Sequence, residues 1–291
     1  MHAHRLGRTL ALLAALPACG ALGGCAGSFL DPAGPVSGAE RTIFLDALVI
    51  MLVIVVPVIF LTLGVAWWFR ASNARARYRP GWTYSGRIEL VIWSIPALVV
   101  FFLGGIAWIS AHDLDPAKPL ASRARPLEID VVSLDWKWLF IYPQQHVASV
   151  NRLVIPAGAP VRFRLTSASV WNVLWIPRLG SMLYCMYGMA GTLYLQAQHP
   201  GTYEGRSAMI SGDGFATMHF DTDALTPAQF DLWVSAAQGR GPVLDERAYR
   251  LLLHPSSSVP PYTYRAVAPD LFQDIVLQKL PPGFGSRPPG G

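Results

Sequence analysis

Residues 201–220, GTYEGRSAMISGDGFATMHF, decide how this chain is read. An alternating stretch gives way to a Gly-rich turn and a second short run, the frame of a metal-binding hairpin loop. Ser207, Ser211, Phe215 and Met218 follow one another at spacings of four, four and three. Cys, Cys, His and Met at those places would offer soft and borderline ligands suited to copper. Here Met218 alone could coordinate, and a lone thioether is a weak ligand. The loop has the scaffold of a metal site without its donors.

Working outward, the surrounding sequence alternates with period two. Leu127, Ile129 and Val131 alternate with Glu128 and Asp130; Val161, Phe163 and Leu165 with Arg162 and Arg164; Leu193, Leu195 and Ala197 with Tyr194, Gln196 and Gln198. Turns at 156–158, 199–201 and 211–214 separate such runs. Short strands with regular turn signals predict an antiparallel sandwich or barrel over residues 126–223. After it, Thr226 and Pro227 open a helix whose apolar face is Phe230, Trp233, Val234 and Ala237. Residues 246–253 and 269–280 suggest two more short helices, so 224–280 reads as an aromatic-rich helical tail. The Pro/Gly-rich residues 281–291 read as disordered.

Upstream, the composition demands a membrane. Of the 291 residues, 52% are hydrophobic and 14% charged, too apolar for a wholly soluble fold. Residues 47–69 carry no charge over 23 positions, and 90–109 form a second apolar run of 20 with Pro96 inside. Each is long enough, at 1.5 Å per residue, to cross a hydrocarbon core of about 30 Å. The spans are set at 42–69 and 88–110, with a linker at 111–125 leading to the β-domain. Between them, residues 70–87 hold five arginines and no acid. This marks a cytoplasmic loop and puts both termini outside the cytoplasm. The basic charge belongs to topology: from His112 onward 15 Lys/Arg face 14 Asp/Glu, so no nucleic-acid surface is implied.

The first residues, with Arg5 and Arg8 before an apolar run, read as a secretory signal over 1–24. Leu22-Gly23-Gly24-Cys25 resembles a bacterial lipobox, which implies cleavage before Cys25 and lipidation of its thiol. Residues 25–41 then form a polar, Gly/Pro-bearing periplasmic linker. With Cys25 lipidated and Cys19 removed, Cys185 is the one free thiol, and no disulfide framework is possible.

A two-helix transmembrane hairpin, an all-β domain with the 201–220 loop, and a helical tail together resemble subunit II of the haem–copper terminal oxidases. The likeness is closest to the quinol-oxidising branch, the bo-type ubiquinol oxidases. It covers nearly the whole chain: LDP at 30–32, RASN at 70–73, VVSLDWKWLFIYPQQ at 131–145, IPRLGS at 176–181, HPGTYEG and SAMISGDGF within 199–215, and PDLF at 269–272. The resemblance implies a cupredoxin-like barrel, a respiratory complex of the bacterial inner membrane, and a partner subunit I that carries the haem and copper and receives ubiquinol. This chain itself would bind no cofactor.

In the cytochrome c branch of that family the barrel holds a binuclear copper centre. Its ligand places fall here on Asn172, Ser207, Met209, Ser211, Phe215 and Met218. Serine hydroxyls cannot replace bridging thiolates, and Phe215 has no lone pair. The resemblance also places Glu89, at the start of the second span, at the mouth of a proton channel into subunit I; a carboxylate at a membrane boundary marks an ion path when it is not simply a helix-end acid. Trp136 and Trp138 lie two apart on one face of an expected strand; the resemblance associates a Trp at the place of Trp136 with electron entry in the copper-bearing branch, and without copper both are expected to pack at the interface. The segment SMLYCMYGM at 181–189, with Met182, Cys185, Met186 and Met189, is expected to form a soft packing surface. Its thiol and thioethers leave open a copper-handling lipoprotein as the alternative, and a cytochrome c oxidase subunit II as a weaker one.

Overall fold

The computed structural model describes residues 30–77, 79–122 and 124–283. The expected signal segment at 1–24 and the expected lipidation site Cys25 lie outside the described residues, as do residues 284–291.

Among the described residues, helix α1, Pro35–Trp68, and helix α2, Gly86–Asp113, are the two long and apolar enough to cross a membrane. Pro57 and Pro96 sit inside them, as the sequence reading allowed. The expected linker at 25–41 is corrected: α1 starts at Pro35 rather than at 42. Pro35 takes the first helical position, where its missing N–H costs nothing, and Ser37 Oγ accepts from Gly34 N at 3.2 Å. The residues ahead of the helix are tied to the β-domain. Ala33 N donates to Arg178 O at 2.7 Å and Gln198 N to Ala33 O at 2.8 Å. Arg178 pairs with Asp31 at 2.7 Å, and Ser37 Oγ donates to Arg178 O at 2.6 Å. Gly180, at φ +139°, lets Val36 approach to where a Cβ would lie 2.6 Å from Val36 Cγ1. The first helix is docked on the barrel, not hung from it.

The strands are β1 Leu127–Leu134, β2 Lys137–Tyr142, β3 Val147–Val150, β4 Arg152–Pro156, β5 Pro160–Ser167, β6 Asn172–Ile176, β7 Gly180–Cys185, β8 Gly191–Gln196, β9 Gly201–Ser207 and β10 His219–Leu225. Helix α3, Pro227–Gln238, then precedes β11 Val243–Leu244, α4 Glu246–Leu252, β12 Tyr262–Tyr264, β13 Ala266–Val267 and α5 Leu271–Val276. Six strands form one sheet in the order β12-β3-β2-β1-β5-β8, and five the other, β4-β10-β9-β6-β7. Most pairs are antiparallel, but β1 runs parallel to β5 and β4 to β10.

The chain changes sheets at Asn151, whose φ of +53° suits a residue that tolerates the left-handed region. Its side chain holds the bend: Oδ1 accepts from Trp138 N at 2.8 Å, and Nδ2 donates to Val259 O at 2.8 Å.

The six-stranded sheet is buried on both faces. Ile129, Val131, Trp138, Phe140, Tyr142 and Phe163 point between the sheets. Val132, Leu134, Leu139, Ile141 and Val150 point the other way, against Tyr249, Leu252, Tyr264, Leu271, Phe272 and Ile275 of the C-terminal segment. Burying that second face is what the aromatic-rich tail does, and it accounts for the near-continuous apolar run at 131–142. The short helices are present as expected, with Asp245 capping α4 through Ala248 N at 2.8 Å. Two details are corrected. The tail is not helical throughout, because Tyr262–Tyr264 extends the six-stranded sheet by pairing with β3. Helix α3 packs Phe230 and Ala237 into the core between the sheets, so it belongs with the barrel rather than with the outer layer. Residues 281–283, expected to be disordered, are placed: Gly283 N donates to Ala168 O at 2.8 Å.

Candidate functional site

The loop after β9 is built by backbone pairing before any side chain matters. Leu174 of β6 stands opposite Ser207, the last residue of β9, and Asn172 opens β6 beside it. Ser207 N donates to Met218 O at 3.1 Å, Met218 N to Phe215 O at 3.0 Å, and Phe215 N to Gly212 O at 3.1 Å. These bonds fold the strip into a short 3-10 turn, Phe215–Thr217, ahead of β10.

The structure brings Asn172, Ser207 and Met209 into direct contact. Ser207 Oγ lies 3.0 Å from Asn172 Oδ1 and 3.2 Å from Met209 O, so its single proton serves one of the two at a time. Asn172 is fully buried, Ser207 and Met218 nearly so, and Phe215 half-buried. Asn172 Nδ2 and Ser211 Oγ are buried without a hydrogen-bond partner among the described residues. This donor set does not fit copper: neutral hydroxyls, an amide and a phenyl ring stand where thiolates and imidazoles are needed. Among the described residues no group of three His, Cys, Asp or Glu is gathered anywhere.

Sequence reasoning missed what covers the loop. Asp135 and Trp136 form a two-residue turn between β1 and β2, with Leu134 opposite Lys137 and Trp136 at φ +64°. Trp136 therefore does not share a strand face with Trp138, and the expectation of a common face is corrected. Trp138 is inside the barrel, edge-on to Phe220 at 5.7 Å. Trp136 folds over the loop: its Nε1 donates to Ser211 O at 3.0 Å. A Cβ on Gly214 would lie 2.4 Å from the Trp136 ring, and one on Gly205 would lie 2.2 Å from Phe220. These glycines make room for rings; of the loop's glycines, Gly212, at φ +106°, is the one whose backbone conformation requires glycine. A non-Gly residue with positive φ beside a Gly-Asp-Gly turn is a signal visible only after folding.

Cys185 ends β7 opposite Asn172. Burial pushes its thiol up to about 12, which disfavours the thiolate that reactive cysteines use. Met182 and Tyr184 alternate with it and face outward, and Met189 is exposed as well. Cys185 and Met182 therefore lie on opposite faces of β7 and do not converge on a common ligand. Glu89 stands exposed in the first turn of α2, its N–H donating to Ser85 O at 3.0 Å. It belongs to α2, outside the strands that build the loop.

Two helices able to span a membrane, the first of them docked on an eleven-strand, two-sheet β-domain, define a membrane-anchored protein with a cupredoxin-like domain. Comparison with known proteins agrees. Residues 238–283 match the COX Aromatic Rich Motif family, the segment that covers the outer face of the six-stranded sheet. The chain is 44% identical over 257 residues to cytochrome bo(3) ubiquinol oxidase subunit 2 of Pseudomonas aeruginosa, covering 88% of this chain and 78% of the relative. It is 45% identical over 259 residues to ubiquinol oxidase subunit 2 of Acetobacter aceti, covering 88% and 84%. Among solved structures, the periplasmic domain of subunit II of cytochrome oxidase of Bradyrhizobium japonicum superposes with a TM-score of 0.38 at 21% identity, over 41% of this chain and 98% of that one. The chain belongs to the ubiquinol oxidase subunit 2 family.

Proposed function

We propose that this chain is the non-redox subunit II of a proton-translocating ubiquinol:oxygen oxidoreductase of a bacterial inner membrane. Its partner subunit I carries the haem and copper and oxidises the quinol. Electrons do not pass through this chain. The observation that carries the reading is the loop at 207–218, where a hydrogen-bonded Asn172–Ser207 pair and Phe215 occupy the places of metal ligands. With no redox centre there, the barrel has nothing to accept an electron from cytochrome c, and quinol reaching the partner subunit directly is the donor left.

The chain's own contributions follow from its build. The helices anchor it beside subunit I, and the docked barrel covers that subunit's outer face. Glu89 at the start of α2 admits protons, a role supported by its place in the resemblance and by its exposure at a membrane boundary. Both termini lie in the periplasm, as the five arginines at 70–87 favour. Cys25 carries the lipid anchor after removal of residues 1–24. The copper-handling alternative loses ground because Cys185 and Met182 face opposite sides of β7. Purification through a tag on this chain separates the readings. Co-elution with a haem-bearing integral subunit is expected; recovery as a lone chain that loads copper would refute the proposal.

A further inference from the structure

We propose that the end of α1 and the loop after it form a binding site for one anionic phospholipid, with its phosphate among arginines and an acyl chain along the helix. The last two carbonyls of helix α1 are already covered. Arg70 Nη1 donates to Trp67 O at 2.8 Å and Asn73 Nδ2 to Trp68 O at 2.6 Å, and the Arg70 guanidinium stacks 4.7 Å over the Trp67 ring. The negative end of the helix dipole, which would repel an anion, is thereby neutralised. The next three arginines have no such task. Arg75, Arg77 and Arg79, with Trp68, Phe69 and Trp82, line a cavity of about 620 Å³. Among the described residues no ion pair engages these three, and residues 70–87 contain no acid at all.

Arginine forks match phosphate oxygens two at a time, and exposed indoles lie at the depth of lipid headgroups. Basic pockets at the ends of membrane helices take anionic headgroups on these grounds. A second feature makes the ligand a lipid rather than free phosphate. Trp68 and Phe69 also form the upper end of a groove of about 550 Å³ that runs down α1 past Val65, Gly64, Leu61 and Phe60 to Pro57. A Cβ on Gly64 would meet nothing within 4 Å, so the groove is open there. From Pro57 to Trp68 the helix rises about 16 Å, close to half of a hydrocarbon core of about 30 Å. The groove is one leaflet deep and begins where the basic cavity ends. The site rests on the membrane reading of the helices, not on which side the loop faces nor on the fate of the metal loop.

The test uses the purified oxidase complex containing this chain, stripped of lipid by detergent exchange. Phosphatidylglycerol or phosphatidylcholine with matched acyl chains is added back, and bound lipid is counted by native mass spectrometry. Phosphatidylglycerol is expected to be retained in preference to phosphatidylcholine, and millimolar inorganic phosphate should not displace it. Arg75→Gln/Arg77→Gln keeps three loop arginines for topology and is expected to weaken phosphatidylglycerol binding about 25-fold, at roughly fivefold per arginine. Gly64→Leu, which alters no charge, should also lower retention by filling the groove, and it decides the matter if the arginine variant does not assemble. Equal retention of both lipids, displacement by inorganic phosphate, or unchanged binding in Gly64→Leu would overturn the proposal.

Discussion

Trp136 Nε1 donates to the Ser211 carbonyl at 3.0 Å, so a tryptophan from the β1–β2 turn is fastened to the loop between β9 and β10. Its ring occupies the space over Gly214. The two are coupled sterically, which a double substitution can read. Gly214→Ala forces a Cβ into the indole and is expected to destabilise the complex by about 1–3 kcal/mol, as overpacking does. In a Trp136→Ala background the same change should cost much less, because the ring it strikes is gone. Thermal melts of the four proteins in detergent check the coupling; equal costs in both backgrounds would show that the ring does not pack there.

The outer layer is held by a buried ammonium. Lys137 Nζ donates to His254 O at 2.7 Å and to Ser256 Oγ at 2.6 Å, from a side chain almost wholly covered by the tail. Burial lowers its pKa from 10.5 to about 8, against the opposing pull of Asp135. The unfolded chain therefore holds this proton at pH values where the folded chain has released it, and stability rises with pH between those two values. The melting temperature of the wild type should climb between pH 8 and 10 relative to Lys137→Met, which lacks the group. A parallel pair of curves would show that Lys137 titrates alike folded and unfolded.

Asp130, nearly inaccessible on β1, accepts from Arg164 Nε at 2.6 Å and Nη2 at 2.7 Å, and the Arg164 guanidinium lies 4.7 Å over Phe272 of α5. Arg164→Ala leaves a buried carboxylate without its partner and loosens the tail. The expected cost is about 2–4 kcal/mol, below the fully buried limit because a third of the Arg164 side chain is exposed. Adding Asp130→Asn should restore much of that loss by removing the stranded charge. Urea unfolding followed by tail proteolysis measures both, and a double variant no better than the single one contradicts this assignment.

The proton-entry role proposed for Glu89 can be tested apart from stability. Glu89→Ala is expected to assemble normally and to slow both turnover and the proton uptake that accompanies haem reduction. Stopped-flow proton uptake on the assembled complex decides it; unchanged kinetics leave Glu89 as an ordinary helix-end acid.

Much of this architecture is legible in the chain itself. The apolar runs 47–69 and 90–109 announce both spans, and Leu127, Ile129, Val161, Phe163, Leu193 and Leu195 announce three strands because one face of each is dry. Legibility fails where a second face is buried by residues far away in sequence. Val132, Leu134, Leu139 and Ile141 break the alternation because the tail covers them, and nothing local says so. Residues 33–37 read as a linker since Gly and Pro dominate, yet Pro35 is the first residue of a helix and Gly34 packs on the barrel. The missing ligands at Ser207, Ser211 and Phe215 could be read directly, since donor chemistry is a property of residue type. The Trp136 cover could not, because it depends on a left-handed turn residue reaching across to another strand's loop.

The central claim is that quinol, not cytochrome c, reduces this complex and that this chain holds no copper. The most direct measurement is oxygen consumption by one purified preparation given ubiquinol and reduced cytochrome c side by side, with copper and haem counted in the same sample. Rapid oxidation of ubiquinol is expected, with none of cytochrome c above background and no copper beyond that of the haem-bearing subunit. Cytochrome c oxidation with additional copper on this chain would contradict it.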